Sequence, residues 1–321
     1  MKAIRSVLAA AGLAVALASP VQAQDYPNKP VRILVPFAPG GINDVAARLL
    51  AQHLSEKFGK QFLAENVPGG GGISATERVI GSPPDGYTIL IMSIANAVHP
   101  ALYKLKYDLL KGIDPVAMVV TSPNTLAVHP DFPAKTVKEF IALAKAKPGD
   151  IQYASGGIGG SLHLGMENFK AVTQIDVLHV PFKGAGPAGI DVVAGNTKAI
   201  MSTLSSVSGH IKNGKLRGLG VATAKRTESH PDIPTFIEAG VPEYEGGNWI
   251  GIGVPAGTPK AIIDLLQKAV LEVQDKPDVQ KQMVDRGAAV MKMGAGEFRS
   301  HIEKETAKWG KVVKDAGVQP Q

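Results

Sequence analysis

Short apolar runs alternate with segments of helical periodicity along most of the chain. The first unit predicts a strand over Val31–Phe37, a Pro- and Gly-rich turn, and a helix near Asp44–Phe58. The next predicts a strand near Phe62–Asn66, a glycine run and a helix around Ser74–Ile80, before a third strand over Tyr87–Ser93. Alternation of strands and helices is typical of an α/β fold with a parallel sheet.

The pattern starts afresh after a long extended stretch. Pro115–His129 predicts one or two extended segments, interrupted by Ser122–Asn124, and here we expect the first crossing into a second lobe. The second series of predicted elements consists of helices over Thr136–Lys147, Leu162–Val172 and Ala188–Ala194 and strands over Ile151–Ala154, Val177–Pro181, Lys198–Thr203 and Arg217–Ala222.

The C-terminal third returns to the first lobe. It predicts a strand over Trp249–Val254, a helix from Lys260, a short strand near Ala289–Met293 and a helix over Ala295–Gly317. Two α/β lobes joined by two crossings predict a clamshell whose strand-to-helix turns face a cleft. We expect residues 24–122 and 224–321 in lobe 1, and residues 123–223 in lobe 2.

The N-terminus has the pattern of an export signal. Lys2 and Arg5 precede the apolar run Val7–Ala18, which is too short to span a membrane, and Val21–Ala23 supplies small residues for cleavage. We therefore expect a signal peptide over residues 1–23 and an exported protein. The chain has no Cys, so neither a disulfide nor a lipid-modified cysteine is possible.

Composition argues against a nucleic-acid-binding surface. The formal net charge is +6, and the basic residues are scattered over helical segments, which indicates solvated helix faces. Only 5% of the residues are aromatic, too few to favour base-stacking or sugar-stacking platforms. A weak positive field still helps to gather anionic ligands.

Three Gly-rich turns between strands and helices have the same construction. In Pro39–Asp44 we expect Asn43 or Asp44 as the helix N-cap, and in Gly159–His163 we expect Ser161 there or pointing into the cleft. In Lys183–Pro187 a lysine precedes a Pro in the first helical turn. Such turns are common scaffolding, but three of them together favour an anion site made of N–H groups and helix dipoles.

Catalytic and metal sites are poorly supported. Ser161 and His163 are two residues apart on one helix and do not face each other, and no Gly-x-Ser-x-Gly motif is present. Residues 70–75 fit a dinucleotide fingerprint loosely, but the following strand offers no acidic ribose partner. The eight His residues are dispersed without metal-ligand spacing. We predict no catalytic residue, no metal and no cofactor.

The chain resembles the Bug family, the periplasmic solute receptors of tripartite tricarboxylate transporters. The resemblance covers the whole mature chain and is carried by residues 26–33, 35–48, 66–73, 84–88, 160–164, 180–184 and 249–259. It implies a type II periplasmic-binding-protein fold, an α/β clamshell that closes on a small carboxylate.

The resemblance also implies which residues contact the ligand. One wall would hold Phe37, Ala38, Gly41 and Asn43, with Asp44 supporting the turn; the other would hold Ser155, Gly160, Ser161, Lys183 and Gly184. His163 either braces the helix or touches the ligand, and Ser93 and Asn96 would reach its distal end. Ser202 and Thr203 are further expected contacts, at a place where the family usually has an acidic residue. The absence of that acid disfavours amino-acid ligands.

The implied partners are the carboxylate and the membrane subunits of a tripartite tricarboxylate transporter, and a monomer is expected. A sensor that presents the solute to a membrane signalling protein would use the same cleft, so this alternative stays open. An exported hydrolase is a more distant alternative.

Overall fold

The computed structural model describes residues 26–315. The expected signal peptide over residues 1–23 lies outside the described residues, as do the last two residues of the helix predicted over Ala295–Gly317.

Strands and helices alternate through most of the described chain. The strands are β1 (Val31–Val35), β2 (Phe62–Asn66), β3 (Thr88–Ser93), β4 (Ile113–Val128), β5 (Gln152–Ser155), β6 (Leu178–Pro181), β7 (Ala199–Thr203), β8 (Arg217–Val221), β9 (Gly247–Pro255) and β10 (Ala289–Gly294). The helices are α1 (Ile42–Phe58), α2 (Ile73–Ile80), α3 (Ile94–Leu102), α4 (Leu109–Gly112), α5 (Val137–Ala146), α6 (Ser161–Thr173), α7 (Ala185–Val193), α8 (Leu204–Lys212), α9 (Lys260–Gln274), α10 (Pro277–Asp285) and α11 (Ala295–Asp315).

The strands form two groups that share β4. In the first group β2, β1 and β3 are parallel, and β9 joins β3 to the N-terminal half of β4 by antiparallel pairing, with β10 also paired to β4. In the second group β6, β5 and β7 are parallel, and β7 and β8 both pair antiparallel with the C-terminal half of β4. The sheets are therefore mixed rather than purely parallel: β9 and β10 run against the other strands of the first group, and β4 runs against the other strands of the second.

β4 is one continuous strand, where one or two segments were predicted. Pro123 has no N–H to donate, and it lies where the partner changes: it faces Gly247 of β9, while Asn124 faces Thr203 of β7. Because the partner strand changes at this place, the missing N–H of Pro123 does not interrupt a continuous series of hydrogen bonds to one strand.

Each group of strands has its own apolar core. Val31, Ile33 and Ile252 lie in a core beneath α1 and α9, and another cluster packs α3 and α11 on the other face. Met201, Phe140 and Phe236 belong to the core of the second group. These packed faces confirm the predicted two-lobed α/β fold.

The lobe boundaries are a proposal. The first crossing at Pro123–Asn124 lies beside the predicted boundary at residues 122–123. Ile233 and Tyr244 pack with the second lobe, in the small cluster around Val221 and in the large core, and β9 begins opposite Pro123. We therefore propose that the return crossing lies at Gly247 rather than at residues 223–224.

Among residues 26–315, no helix has the length and apolar character needed to cross a lipid bilayer.

Candidate functional site

A small cavity of about 30 Å³ lies where the two lobes meet. Its lining comes mostly from turns and first helical turns that follow strands, with Asn248 from β9: Phe37, Gly41, Ile42, Asn43, Gly156, Gly160, Ser161, Leu162, Ala185, Thr203, Ser206 and Asn248. None of these residues is ionisable. Any charge on a bound molecule would therefore be met by backbone and neutral side chains.

Four helices begin at this cavity. Gly41, Gly160, Gly184 and Thr203 are the N-caps of α1, α6, α7 and α8, which come from both lobes. The first N–H groups of a helix have no partner within it, and the helix dipole adds partial positive charge at this end. The wall is thus electropositive without a cation.

The N-caps differ from the predicted ones by one to three residues. Gly41 caps α1 and Gly160 caps α6, so Asn43 and Asp44 lie in the first turn of α1 and Ser161 is the first residue of α6. A Cβ at position 41 would lie 3.5 Å from the Ala185 Cβ of the other lobe, an ordinary van der Waals contact, so the two lobes leave room for a small side chain there.

Asp44 braces the first turn and does not line the cavity. Its carboxylate accepts hydrogen bonds from Gly40 N–H at 3.2 Å, Arg48 Nε at 3.1 Å and Asn66 Nδ2 at 3.0 Å. Partial burial tends to raise its pKa, but these donors and the Arg48 charge outweigh burial, and the pKa lies below its ordinary value. The carboxylate is therefore ionised and keeps the turn in shape.

Direct hydrogen bonds join the lobes around the cavity. Ala38 N–H donates to Lys183 O at 2.9 Å, Ile42 N–H to Ser206 Oγ at 3.1 Å, and Tyr103 Oη to Ile158 O at 3.1 Å. The arrangement described is the closed one. Ala38 and Lys183 thus join the lobes through their backbones, and the Lys183 side chain is exposed.

Gly184 belongs to the same junction. Its φ of +150° suits glycine, and a Cβ at this position would come within 3.2 Å of Ala38 N. Ala38, Lys183 and Gly184 therefore lie beside the cavity, at the interlobe contact, and not in its lining.

A stack of three aromatic rings supports the opposite wall from behind. The His163 and His179 ring centroids are 4.2 Å apart, and those of His179 and Tyr153 are 4.9 Å apart. His179 Nε2 shares a 2.6 Å hydrogen bond with Ser155 Oγ, and His163 Nδ1 accepts from Gly159 N–H at 3.3 Å. Ser155 and His163 therefore hold the turn over residues 155–161 and lie outside the lining.

Both histidines in this stack are neutral near pH 7. Burial lowers the pKa of His163, with a further decrease from the Lys170 charge that the Glu167 carboxylate opposes. Burial lowers the pKa of His179 to about 3, helped by the neighbouring His163 and Lys170. Neutral rings suit the accepting role of His163 Nδ1.

Ser93, Asn96 and Ser202 are also buried away from the lining. Ser93 N–H donates to Asn96 Oδ1 at 2.9 Å, and Asn96 Nδ2 donates to Thr76 Oγ1 at 2.9 Å, so this pair caps α3. Ser202 faces Thr125 in the sheet, and its buried hydroxyl has no hydrogen-bond partner among the described residues.

Six of the predicted ligand contacts lie in the lining of this cavity, and six lining residues were not predicted. The first group is Phe37, Gly41, Asn43, Gly160, Ser161 and Thr203, and the second is Ile42, Gly156, Leu162, Ala185, Ser206 and Asn248. Three of the unpredicted residues, Ile42, Leu162 and Ala185, lie within the three Gly-rich turns, and Gly156 lies shortly before the second turn. Ser206 and Asn248 gave no such signal, since α8 was not predicted and Asn248 lies on a crossing strand.

Among residues 26–315, no three His, Asp or Glu side chains are placed to hold a metal ion.

A family model described as the tripartite tricarboxylate transporter family receptor, TctC, matches residues 46–318. The chain belongs to this family. Protein BugT of Bordetella pertussis is 32% identical over 97% of both chains. The predicted resemblance to the Bug receptors is thereby confirmed.

Solved structures of related receptors share the fold. The periplasmic binding protein BugD is 32% identical, with a TM-score of 0.89 over 92% of this chain and 100% of its own. An R. palustris protein with adipate is 33% identical, with the same TM-score and coverage. MatC from Rhodopseudomonas palustris with bound malate is 30% identical, with a TM-score of 0.86 over 90% of this chain and 100% of its own.

Proposed function

We propose that this TctC-family receptor is a periplasmic solute-binding protein that captures a small carboxylate between its lobes. The captured solute would pass to the membrane subunits of a tripartite tricarboxylate transporter. The binding protein would have no catalytic activity of its own.

The convergence of four helix N-termini on one uncharged cavity carries this proposal. A carboxylate held there accepts hydrogen bonds from backbone N–H groups and from the Ser161 hydroxyl, and each charge-assisted bond is stronger than a neutral one. The helix dipoles stabilise the negative charge further because they point at it from both lobes.

Ligand binding would favour closure. Gly41 and Asn43 belong to one lobe, and Ser161, Thr203 and Ser206 belong to the other. A carboxylate between them contacts both walls only when the lobes are closed, so its binding shifts the population toward that state. The membrane subunits would then distinguish the loaded receptor by its shape.

The lining also bears on the class of carboxylate. It contains no acidic residue that would pair with an ammonium group. The family resemblance implies an acid near Met201–Thr203, and this chain has none there. Related receptors carry adipate and malate. We therefore infer that dicarboxylates without an amino group are preferred over amino acids.

A thermal-shift screen followed by calorimetry tests the proposal. The purified mature protein is screened against adipate, malate, aromatic monocarboxylates and aspartate. A ligand present at a thousand times its Kd adds about 4 kcal/mol to the free energy of unfolding. Absence of binding by every carboxylate, or turnover of generic esters, would overturn the proposal.

A further inference from the structure

A wide groove runs along the two strands that cross between the lobes, β4 and β9. Its volume is about 840 Å³, within the usual range for small-molecule sites, and it shares Asn248 with the small cavity. Pro123 and Gly247 form its floor, where β4 and β9 pass between the lobes. We call it the crossing groove.

Both lobes contribute walls to the crossing groove. One wall comes from α10, β10 and α11, and the other comes from residues 222–229 and 243–246. A molecule in the groove therefore touches both lobes, and the fit depends on the angle between them.

The crossing groove has an apolar surface. Trp249, Trp309 and Met118 are buried in its walls, and Val284 and Met291 are 43% and 36% exposed there. Large apolar side chains left open in a concave surface mark a place where an apolar body gains by leaving water.

Acidic side chains outnumber basic ones around this apolar surface. Glu228, Glu243 and Glu245 line the groove without an ion pair among residues 26–315, whereas Lys308 is the only lysine or arginine in the lining. The chain as a whole has a net charge of +6, so this local excess of carboxylates is not a reflection of composition. It complements a cation.

Polar atoms in the walls are buried without a partner. Trp249 is 4% exposed and its Nε1 has no hydrogen-bond partner among the described residues, and the same holds for Thr223 Oγ1, Thr227 Oγ1 and His301 Nε2. Burial of unpaired polar groups is costly. These atoms are closed to solvent in the described arrangement. A bound hydroxyl would therefore pair with one of them after that side chain turns toward the groove, and the pairing would stabilise the occupied groove.

We propose that the crossing groove binds a small organic ammonium ion that carries an apolar body and a hydroxyl. The ammonium group lies among the glutamates, the apolar body contacts the tryptophan and methionine side chains, and the hydroxyl pairs with the buried polar atoms.

Occupancy of the groove favours the closed arrangement, because this is the arrangement in which the groove has the described shape. Binding at the groove and carboxylate binding at the small cavity then strengthen each other by the same factor. Only this coupling rests on the proposed function; the site itself does not.

The probe for the test is 2-amino-1-phenylethanol, and 1-phenyl-1,2-ethanediol is the control with a hydroxyl in place of the ammonium group. We expect saturable one-to-one binding of the amine by calorimetry, with a Kd on the order of millimolar for a ligand of this size. The diol should bind at least fivefold more weakly. Equal binding of the two, or no saturable binding of the amine, would overturn the proposal.

A single and a double variant test whether the amine binds in the crossing groove. Val284→Lys adds a competing cation to the groove and should weaken binding of the amine at least fivefold, whereas Gln282→Lys, on the same helix outside the lining, should not. Glu243→Gln with Glu245→Gln should weaken it similarly, with Glu303→Gln as the control. Unchanged affinity in both groove variants would show that the amine binds elsewhere.

The coupling is measured by titrating adipate in the presence and absence of saturating amine. We expect the adipate Kd to fall at least twofold, and the amine Kd to fall equally when adipate is saturating. An unchanged adipate Kd would overturn the coupling. If no carboxylate binds but the amine does, the proposed function fails while the groove site stands.

Discussion

Ser161 is the polar side chain whose role in binding is most directly testable. It begins α6, is 8% exposed and lines the small cavity, where its hydroxyl can donate to a carboxylate. We expect Ser161→Ala to weaken carboxylate binding by about 1–2 kcal/mol, since a charged acceptor loses one donor. This corresponds to a roughly 5- to 30-fold higher Kd by calorimetry.

The matched control for this change is Ser300→Ala, at an exposed position of α11 far from the lining along the chain. Equal affinity of the Ser161 variant and the control would remove the Ser161 hydroxyl from the binding site.

The buried histidines make the stability of the protein sensitive to acid. The pKa of His179 is lowered to about 3 by burial and by the charges of its neighbours, and burial lowers that of His99 to about 4. Between these values and the ordinary value near 6.5, the unfolded state binds protons that the folded state does not. The contribution of these two histidines to the free energy of unfolding is therefore constant above about pH 7 and falls with decreasing pH below it.

Each such histidine contributes a slope of up to about 1.4 kcal/mol per pH unit in this window. Chemical unfolding at pH 7 and pH 5 measures the loss. His179→Phe keeps a ring in the stack and removes one titrating group, so its loss between these pH values should be smaller than that of the unmodified protein. An identical loss would contradict the assignment of a low pKa to His179.

Gly-rich turns were the most useful guide in the sequence to residues that line the small cavity. Gly41, Gly160 and Ser161 stand in turns whose sequence is unusual, and they line the cavity. Ser155 and His163 stand in the same kind of turn but support it from behind, because the stack with His179 forms only when α6 and β6 come together. Neighbours distant in sequence decide which turn residues face the small cavity.

At the scale of elements, α7 and the turn over residues 39–44 pack so closely that one added methyl group would push the lobes apart. Gly186 lies within α7, and a Cβ there would lie 2.1 Å from Pro39 O of the other lobe. Gly186→Ala is compatible with the helix itself, where alanine is favoured over glycine. We therefore expect an unchanged or higher melting temperature without ligand and at least a tenfold loss of carboxylate affinity.

Gly189→Ala on the same helix is the control for this change. A Cβ at position 189 meets only His210 and Val207 of its own lobe, at 3.7 Å or more. Normal binding by the Gly186 variant would mean that the carboxylate is held without the closed contact of α7 with the first turn.

The bounds of the elements that were predicted agree with the structure better than the number of predicted helices does. β2 has its predicted bounds, and α1 and α5 differ from prediction by two residues or fewer at either end. The helices α3, α4, α8 and α10 were not predicted. α3 is apolar on most of its surface because α11 covers it, and α8 follows β7 with no Gly-rich turn to signal its start. For α3, tertiary packing rather than local periodicity defines the helix.

At the scale of the whole molecule, closure can be trapped covalently. The chain has no cysteine, and a Cβ at position 41 would lie 3.5 Å from the Ala185 Cβ, at the short end of the range for disulfides. Gly41→Cys with Ala185→Cys should therefore form a disulfide that locks the lobes together. Release of a preloaded carboxylate should slow at least tenfold on oxidation and recover on reduction.

The single variant Gly41→Cys, which cannot form the bridge, controls for the added side chain. Release is measured by dilution and rapid filtration. A release rate of the double variant that is the same under oxidising and reducing conditions would contradict a requirement for lobe opening.

The continuity of β4 has a consequence for the order in which the newly made chain folds. The C-terminal half of β4 pairs with β7 and β8, which lie within residues 199–221. The N-terminal half of β4 pairs with β9 and β10, at residues 247–255 and 289–294, and β3 also pairs with β9. Pairings over such long separations form late. We expect the second lobe to complete first as the chain emerges, while the first lobe, though begun earlier, waits for the last quarter of the sequence.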